Sequence, residues 1–176
     1  MTKKNCIEND KRYHIEWELL SRESRTTLTG QNDYGLYVIC GDHPVYGANT
    51  LLYIGQANDQ KFAKRLSEKQ HTDLINTHFS GPFTLRLGRF IEIDGIAYES
   101  WGDAINLSER LLINAHSPAY NSNGVKQVLE WKDKNHIHIF NWGDRGPLLP
   151  ELSSRRFSYE YWDEDNYPWN TISDPT

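Results

Sequence analysis

Two short apolar segments that lie close together in the sequence set the strongest limit on what this chain can fold into. The first is GLYVIC at residues 35–40 and the second is TLLYIGQ at residues 50–56, with GDHPVYGAN between them. Both segments are rich in β-branched and aromatic residues, and the linker holds the glycine, proline and asparagine typical of turns. The pattern predicts an antiparallel hairpin with a long connection. Each predicted strand carries a tyrosine in a tripeptide with glycine, Tyr37 in the first and Tyr53 in the second.

The segment before this hairpin is mostly polar but has one amphipathic stretch, DKRYHIEWELLSRES at residues 10–24. Its apolar side chains can share one face of a helix. They are Tyr13, Ile15, Trp17 and Leu20. The stretch is therefore interpreted as a helix.

Two more elements are predicted directly after the hairpin. The stretch ANDQKFAKRLSEKQH at residues 57–71 has helical spacing of apolar residues, with Asn58 or Asp59 as the N-cap. The stretch FTLRLGRFIEID at residues 83–94 alternates apolar and polar residues, which predicts a third strand, and Gly88 is a candidate bulge within it.

The strongest helix signal in the chain lies at residues 94–118, where Pro118 supplies the stop. Farther on, HIHIF at residues 136–140 predicts a short strand, and the region from residue 141 onward is interpreted as loops. The HIH sequence places two imidazoles on one strand face, a geometry that suits zinc. No third ligand follows at a suggestive spacing, so a structural role is favoured for His136 and His138.

Composition is that of an ordered globular chain, and its charge counts against a generic nucleic-acid binder. The 176 residues fit a single domain, and the net charge is −5. Locally basic stretches at 3–12 and 60–69 contrast with an acidic one at 159–170, so the overall sign can mask a basic groove. Neither a membrane-length apolar run nor a signal-like apolar region is present, and Cys6 and Cys40 form no CxxC pair, which predicts a cytoplasmic protein.

Five sequence features occur in an order that resembles the GIY-YIG endonuclease superfamily. They are GLY at residues 35–37, YIG at residues 53–55, a helix with Arg65, a longer helix with Glu109, and YN at residues 120–121. Two tripeptides alone would be a weak signal. Five polar positions in the family order, each on the expected kind of element, make the resemblance fairly specific.

The resemblance implies a fold as well as a function. It covers about residues 33–123, with an amino-terminal extension over 1–32 and a carboxyl-terminal extension over 124–176. The implied fold is α+β, with a small, mainly antiparallel three-stranded sheet flanked by helices. The expected organisation is one domain over 1–176.

The resemblance also implies roles for the matching residues. Tyr37 and Tyr53 are expected to lie close together facing the scissile phosphate, with Tyr37 as the base or the residue that orients water. Arg65 is expected to contact the phosphate, Glu109 to bind Mg²⁺ or Mn²⁺, and Asn121 to support the site. Elementary chemistry agrees, because a guanidinium matches phosphate oxygens and Mg²⁺ needs only one or two protein carboxylates.

Departures from the family pattern leave the general base open. Many members carry a histidine one helical turn after the arginine, where this chain has Lys69, with His71 two residues later. Some members have lysine directly after the second tripeptide, where this chain has Gln56. His71 and His78 are therefore alternatives to Tyr37 as the base, and Lys69 could contact a phosphate.

The sequence hypothesis is a metal-dependent hydrolase of DNA phosphodiester bonds that uses Mg²⁺ or Mn²⁺, such as a type II restriction-like endonuclease. A homodimer would let two active sites cut the two strands of a palindromic target. The alternatives are a structure-specific repair or recombination nuclease, and a non-catalytic nucleic-acid-binding or interaction module on the same fold.

Overall fold

The computed structural model describes residues 10–20, 28, 34–67, 82–91, 101–122 and 136–157. These residues form six strands, two α-helices and one 3₁₀ helix. In chain order they are β1 (Lys11–Leu20), β2 (Gly35–His43), β3 (Gly47–Ala57), α1 (Phe62–Ser67), β4 (Phe83–Phe90), α2 (Trp101–His116), β5 (Ile137–Gly143), β6 (Glu151–Ser153) and the 3₁₀ helix Ser154–Phe157.

All six strands belong to one mixed sheet in the order β3-β2-β4-β1-β5-β6. Strand β5 runs parallel to β1, and the other neighbouring pairs are antiparallel. The expected fold, a three-stranded antiparallel sheet flanked by helices, is therefore wrong: the sheet has twice that many strands and curls into a half-barrel. The strands that the sequence interpretation missed come from the segments before residue 33 and after residue 123.

The predicted amino-terminal helix is strand β1. Tyr13, Ile15 and Trp17 are buried, and each is followed by a more exposed residue. That period of two is the signature of a strand with one face in the core, and it overrides the helical spacing that includes Leu20. Strand β1 lies inside the sheet, between β4 and β5.

The β2–β3 hairpin is confirmed, but its connection is short. Strand pairing continues to His43 and Gly47, which leaves three residues for the turn rather than a long loop. The strands are longer than their apolar cores because the polar residues of the linker continue the ladder. Positive φ angles at Gly47 and Asn49 accompany the chain reversal.

Each face of the sheet has its own apolar core. Helix α2 packs on one face, where Ile105, Leu111 and Leu112 join the buried side chains of β1, β5 and the even-numbered positions of β2. On the other face Phe62 of α1 joins Tyr37 and neighbouring residues of β2, β3 and β4. The two cores place α1 and α2 on opposite sides of the sheet.

Gly88 is not a bulge, as the sequence had suggested. It pairs in regular register with Trp17 on one side and Leu36 on the other. A Cβ at residue 88 would lie 2.8 Å from atoms of the Trp17 ring, so glycine is required by the close approach of the indole. The Trp17 indole N–H donates to Asn141 Oδ1 at 2.8 Å, which ties β1 to β5 in the core.

The helix boundaries agree with the sequence only in part. The end of α2 before Pro118 is confirmed, and the strand predicted at 136–140 is present as β5 but extends to Gly143. Neither predicted N-cap precedes α1 directly; instead, the Asn58 side-chain amide donates to Gly102 O and Asn106 Oδ1, both at 3.1 Å. Within the described ranges, neither α-helix has the length and apolarity needed to cross a membrane.

Candidate functional site

The two tyrosines of the tripeptides lie side by side near the open edge of the sheet. Tyr37 on β2 is fully buried, and Tyr53 on β3 is partly exposed. Their ring centroids are 6.0 Å apart with a tilt of 30°, and a hydrogen bond joins the two side chains. The register explains this pairing, because Tyr37 lies opposite Gly55 and Tyr53 lies opposite Ile39, two residues farther along β2.

Arg65 reaches the same place from helix α1. Its side chain forms a hydrogen bond with Tyr37 and interacts electrostatically with both Tyr53 and Glu109. Phe62, one helical turn earlier, is fully buried in the apolar core beneath the site and so fixes the helix against the sheet. Helix α1, which Phe62 fixes against the sheet, therefore holds the Arg65 guanidinium beside the two phenols.

Glu109 comes to the site from α2, across the edge strand β3. Gln56, the residue after the second tripeptide, donates from Nε2 to Glu109 Oε2 at 2.8 Å. Burial raises the pKa of Glu109 to about 7, although Arg65 and the hydrogen bond from Gln56 act in the opposite direction. The carboxyl group is therefore poised between its charged and neutral forms near neutral pH.

The phenols are kept in their protonated form. Burial, followed by the Tyr53 phenol, raises the pKa of Tyr37 well above its usual range, although Arg65 lies beside it. Burial and the Glu109 carboxyl also raise the pKa of Tyr53. Both hydroxyls can therefore donate hydrogen bonds near neutral pH. Neither tyrosine is ionised to a phenolate, so neither can act as a general base.

Asn121 supports the site through the backbone of the second tripeptide. Its Oδ1 accepts from the Ile54 N–H at 2.9 Å, and its Nδ2 donates to the Ile54 carbonyl at 2.8 Å. Strand β3 is at the edge of the sheet, so Asn121 takes the place of a neighbouring strand at this residue. It thereby holds the segment between Tyr53 and Gln56.

The structure thus brings Tyr37, Tyr53, Arg65 and Glu109 together and places Asn121 behind them. Gln56, which the sequence singled out as a departure from the family pattern, is the hydrogen-bond partner of the carboxylate. The other three residues proposed from the sequence, Lys69, His71 and His78, lie outside the described residues.

The HIH pair has structural partners at the far side of the sheet. His138 Nε2 lies 3.1 Å from Asp10 Oδ2, which also accepts from Arg155 Nη2 at 2.8 Å. His136 is buried, with Nδ1 3.4 Å from Ser154 Oγ. In the described part of the chain no three potential His, Cys, Asp or Glu ligands form a metal-binding group.

The chemistry of the Glu109 site fits a hard cation that keeps most of its water. A single protein carboxylate is sufficient for Mg²⁺ in sites where substrate oxygens complete the shell. Gln56 Oε1 is a further oxygen here: it is buried and has no hydrogen-bond partner among the described residues. Glu109 and Gln56 would hold such an ion, whereas a softer metal would need nitrogen or sulfur ligands.

Comparison with known proteins adds no further assignment: no protein-family model, no curated protein and no solved structure matches this chain.

Proposed function

We propose that this protein is a metal-dependent endonuclease that hydrolyses phosphodiester bonds of DNA, with its site at Tyr37, Tyr53, Arg65 and Glu109. The observation that carries the proposal is the meeting of one guanidinium, one partly buried carboxyl group and two phenols, supplied by α1, α2, β2 and β3. These side chains are far apart in sequence. Phosphodiester hydrolysis needs an activated water and a counter-charge for the transition state, which a carboxylate-bound cation and a guanidinium would supply.

Arg65 is the proposed phosphate ligand. Its guanidinium remains charged at any physiological pH and can bind two phosphate oxygens through parallel hydrogen bonds. The buried surroundings strengthen that interaction, because less water competes for the guanidinium. Substrate binding would also bring the negative charge of a phosphate close to Glu109. Two neighbouring negative groups favour binding of a metal cation between them.

Glu109 is the proposed ligand of Mg²⁺ or Mn²⁺, with Gln56 Oε1 as a second oxygen. When bound, the cation would neutralise charge on the phosphate and lower the pKa of a coordinated water. Gln56 Nε2 donates to Oε2 of Glu109 and so leaves the other carboxylate oxygen of Glu109 for the ion. Asn121 keeps Gln56 in position by holding the preceding backbone at Ile54.

Tyr37 is proposed to orient the attacking water rather than to remove its proton. The raised pKa of the phenol argues against a direct role as base. Tyr53 holds Tyr37 through their hydrogen bond. The proton would then go to solvent or to one of the histidines suggested by the sequence, His71 or His78.

The wider context of the enzyme follows the sequence hypothesis. A restriction-like enzyme that acts as a homodimer in the cytoplasm is one form of the proposal, and a structure-specific repair or recombination nuclease is the other. A non-catalytic binding module is a second candidate function, favoured by the net charge of −5 and by Lys69 at the position where many nucleases of the resembled superfamily carry a histidine.

A plasmid nicking assay with Mg²⁺, Mn²⁺ or EDTA tests the proposal. Wild type should cut in the presence of metal, and Glu109→Gln and Arg65→Ala should not. Arg110→Ala, which removes an exposed cation from the next position of α2, is the matched control and should cut like wild type. Folded wild type that is inert on plasmid and branched DNA would leave the binding module as the function.

A further inference from the structure

A cluster of three aromatic side chains lies on the face of the sheet opposite α2, away from the tyrosine pair. It consists of His14 on β1 and Phe140 and Trp142 on β5, and is called the aromatic platform below. Trp142 is 49% exposed although it is among the largest side chains in the protein. Exposed aromatic rings that form a contiguous group on a sheet mark interaction surfaces more often than isolated ones do.

The platform is on the same face of the sheet as Tyr37. Residues that pair across strands point to the same side, and Tyr37, Leu87 and Glu18 form one such row across β2, β4 and β1. Strand β1 then alternates, so Glu16 and His14 also point to this side, beside Trp142 and Phe140 of β5. His14 is four residues from Glu18, which is about 13 Å along the strand.

The three rings are close to parallel with one another, and part of their hydrogen-bonding capacity is used between them. The indole N–H of Trp142 donates to Nδ1 of His14 at 3.0 Å, and the two rings are within 7° of parallel. Phe140 stacks against His14 with a centroid distance of 4.8 Å. Because the indole donor is already paired, Trp142 offers an incoming molecule mainly its π-face.

His14 is held in its neutral form in this arrangement. Its Nδ1 can accept the indole N–H only when that nitrogen carries no proton. Burial and the nearby Arg12 lower the pKa of His14, which favours the same state. The platform is thus a neutral aromatic surface, suited to planar, uncharged rings such as nucleic-acid bases.

Cationic side chains lie at the edge of the platform and between it and the tyrosine site. Arg12 is exposed on β1 beside His14. Arg89 on β4 pairs with Glu18 at 2.9 Å, and its guanidinium lies 5.8 Å from the ring centroid of Phe62 in α1, the helix that carries Arg65. Arg89 thus lies between the platform and the site, where it could contact a phosphate backbone that passes over both.

We propose that the aromatic platform binds unpaired nucleotides, which stack on Trp142 and His14 while their phosphates follow Arg89 toward Arg65. The direction of the strand rests on the proposed nuclease function, whereas the stacking does not. Bases in an intact duplex cannot reach a flat protein surface without unstacking, and a single strand can. The substrate class is therefore DNA with a single-stranded segment next to the cut, such as a flap or a branch.

Fluorescence anisotropy in EDTA tests the stacking without any cleavage. The probes are a labelled oligo(dT) strand of about ten nucleotides, within the usual site size, and a blunt duplex of the same length. Trp142→Ala should weaken binding of the single strand about tenfold, which is the order expected for one lost base stack. Trp142→Phe keeps a smaller π-face and should lose less.

Leu149→Ala is the matched control, since Leu149 is 43% exposed and lies outside the platform. It should bind the single strand like wild type, and duplex binding should change less than twofold in every variant. Single-strand binding that Trp142→Ala leaves intact would overturn the proposal, as would an equal loss for single strand and duplex. Thermal unfolding of each variant checks the fold. If Trp142→Ala is unfolded, single-strand binding by Trp142→Phe is compared with that by Leu149→Ala, and a selective loss in Trp142→Phe is the result that supports the proposal.

The two proposals can fail separately. A wild-type protein that cuts plasmid but does not bind the single strand would keep the nuclease and lose the platform. Binding that depends on Trp142 without any cutting would keep the platform and lose the nuclease. If both hold, wild type should prefer a flapped duplex over a blunt one, and Trp142→Ala should lose that preference.

Discussion

The hydroxyl of Tyr37 lies so close to Gly55 that a Cβ on residue 55 would clash with it. The two residues are direct register partners on β2 and β3, so the phenol crosses over the backbone of the second tripeptide. Gly55 is thus required by close approach and not by its φ angle, which is not positive. This explains why a tyrosine in one strand is matched by a glycine in the next.

Replacement of Gly55 by alanine should displace the Tyr37 ring and destabilise the fold. Tyr37 is fully buried and cannot move into solvent, so we expect a loss of about 1–3 kcal/mol in the free energy of unfolding, as for other overpacked cores. Urea denaturation measures it. Gly102→Ala is the control: a Cβ there meets nothing closer than 3.4 Å, and alanine in a helix is favoured over glycine by about 0.5–1 kcal/mol.

Glu109 should make the stability of the metal-free protein depend on pH. Its pKa is raised from an ordinary 4.5 to about 7, so the folded state binds the proton more tightly than the unfolded state does. The contribution is fully present below about pH 4.5 and is lost as the pH rises through about 7. Its full size is at most about 3.5 kcal/mol, at about 1.4 kcal/mol for each pKa unit.

Unfolding of wild type and Glu109→Gln, compared in EDTA across this pH range, checks the expectation. Glutamine keeps the shape and the acceptor oxygen for Gln56 but cannot ionise. The variant should gain stability relative to wild type as the pH rises. Parallel curves for the two proteins would show that the carboxyl group is not desolvated by the fold.

The sequence could predict the hairpin and the place of the site residues on it, because both depend on local patterns. GLYVIC and TLLYIGQ have the β-branched and aromatic composition of strands, and Pro118 ends a helix because its ring and missing N–H prevent continuation. The sheet could not be predicted, since the partners of β1 lie at residues 85–90 and 137–143. The signal for a strand was the apolar residue at every second position, at Tyr13, Ile15 and Trp17. The same residues together with Leu20 also fit one face of a helix, so the sequence alone did not decide between the two.

The partners within the site depended on tertiary contacts of the same kind. Nothing local in the sequence pairs Gln56 with Glu109, which are 53 positions apart. The stack of His14 with Phe140 joins residues more than a hundred positions apart, through the parallel pairing of β1 and β5. Both arrangements follow from the sheet order rather than from any motif.

Asn121 should stabilise the fold as well as the site. Asn121→Ala removes the partners of both the N–H and the carbonyl of Ile54 in an edge strand, at a cost of about 1–3 kcal/mol for each group that stays buried. Asn121→Asp keeps the acceptor for the N–H but opposes a carboxylate to the Ile54 carbonyl. Urea denaturation should therefore rank wild type above both variants, whereas Asn58→Ala, which loses a more exposed amide, should cost less.

Tyr37→Phe should separate a water-orienting phenol from a general base. Loss of one oriented hydrogen bond should lower the cleavage rate about 10²-fold to 10³-fold, as for other positioned donors. Because the phenol is protonated throughout the accessible pH range, the shape of the pH–rate profile should not change. If the pH–rate profile of wild type had a pH-dependent limb that is missing from the profile of Tyr37→Phe, Tyr37 would be the base.

Binding of Mg²⁺ should release a proton from Glu109, and this is the most direct link between the site's electrostatics and its proposed chemistry. A ligand carboxyl must be ionised, and with a pKa of about 7 roughly half of these groups carry a proton at neutral pH. Apparent affinity should therefore fall about tenfold for each pH unit below 7 and level off above it.

Calorimetric titration in two buffers of different ionisation enthalpy measures the released proton, about half an equivalent at pH 7. Glu151→Gln, an exposed carboxylate change on β6, should leave the titration as in wild type, whereas Glu109→Gln should abolish binding. An affinity for Mg²⁺ that stays constant from about pH 6 to about pH 8 would mean that the cation binds at a site other than Glu109.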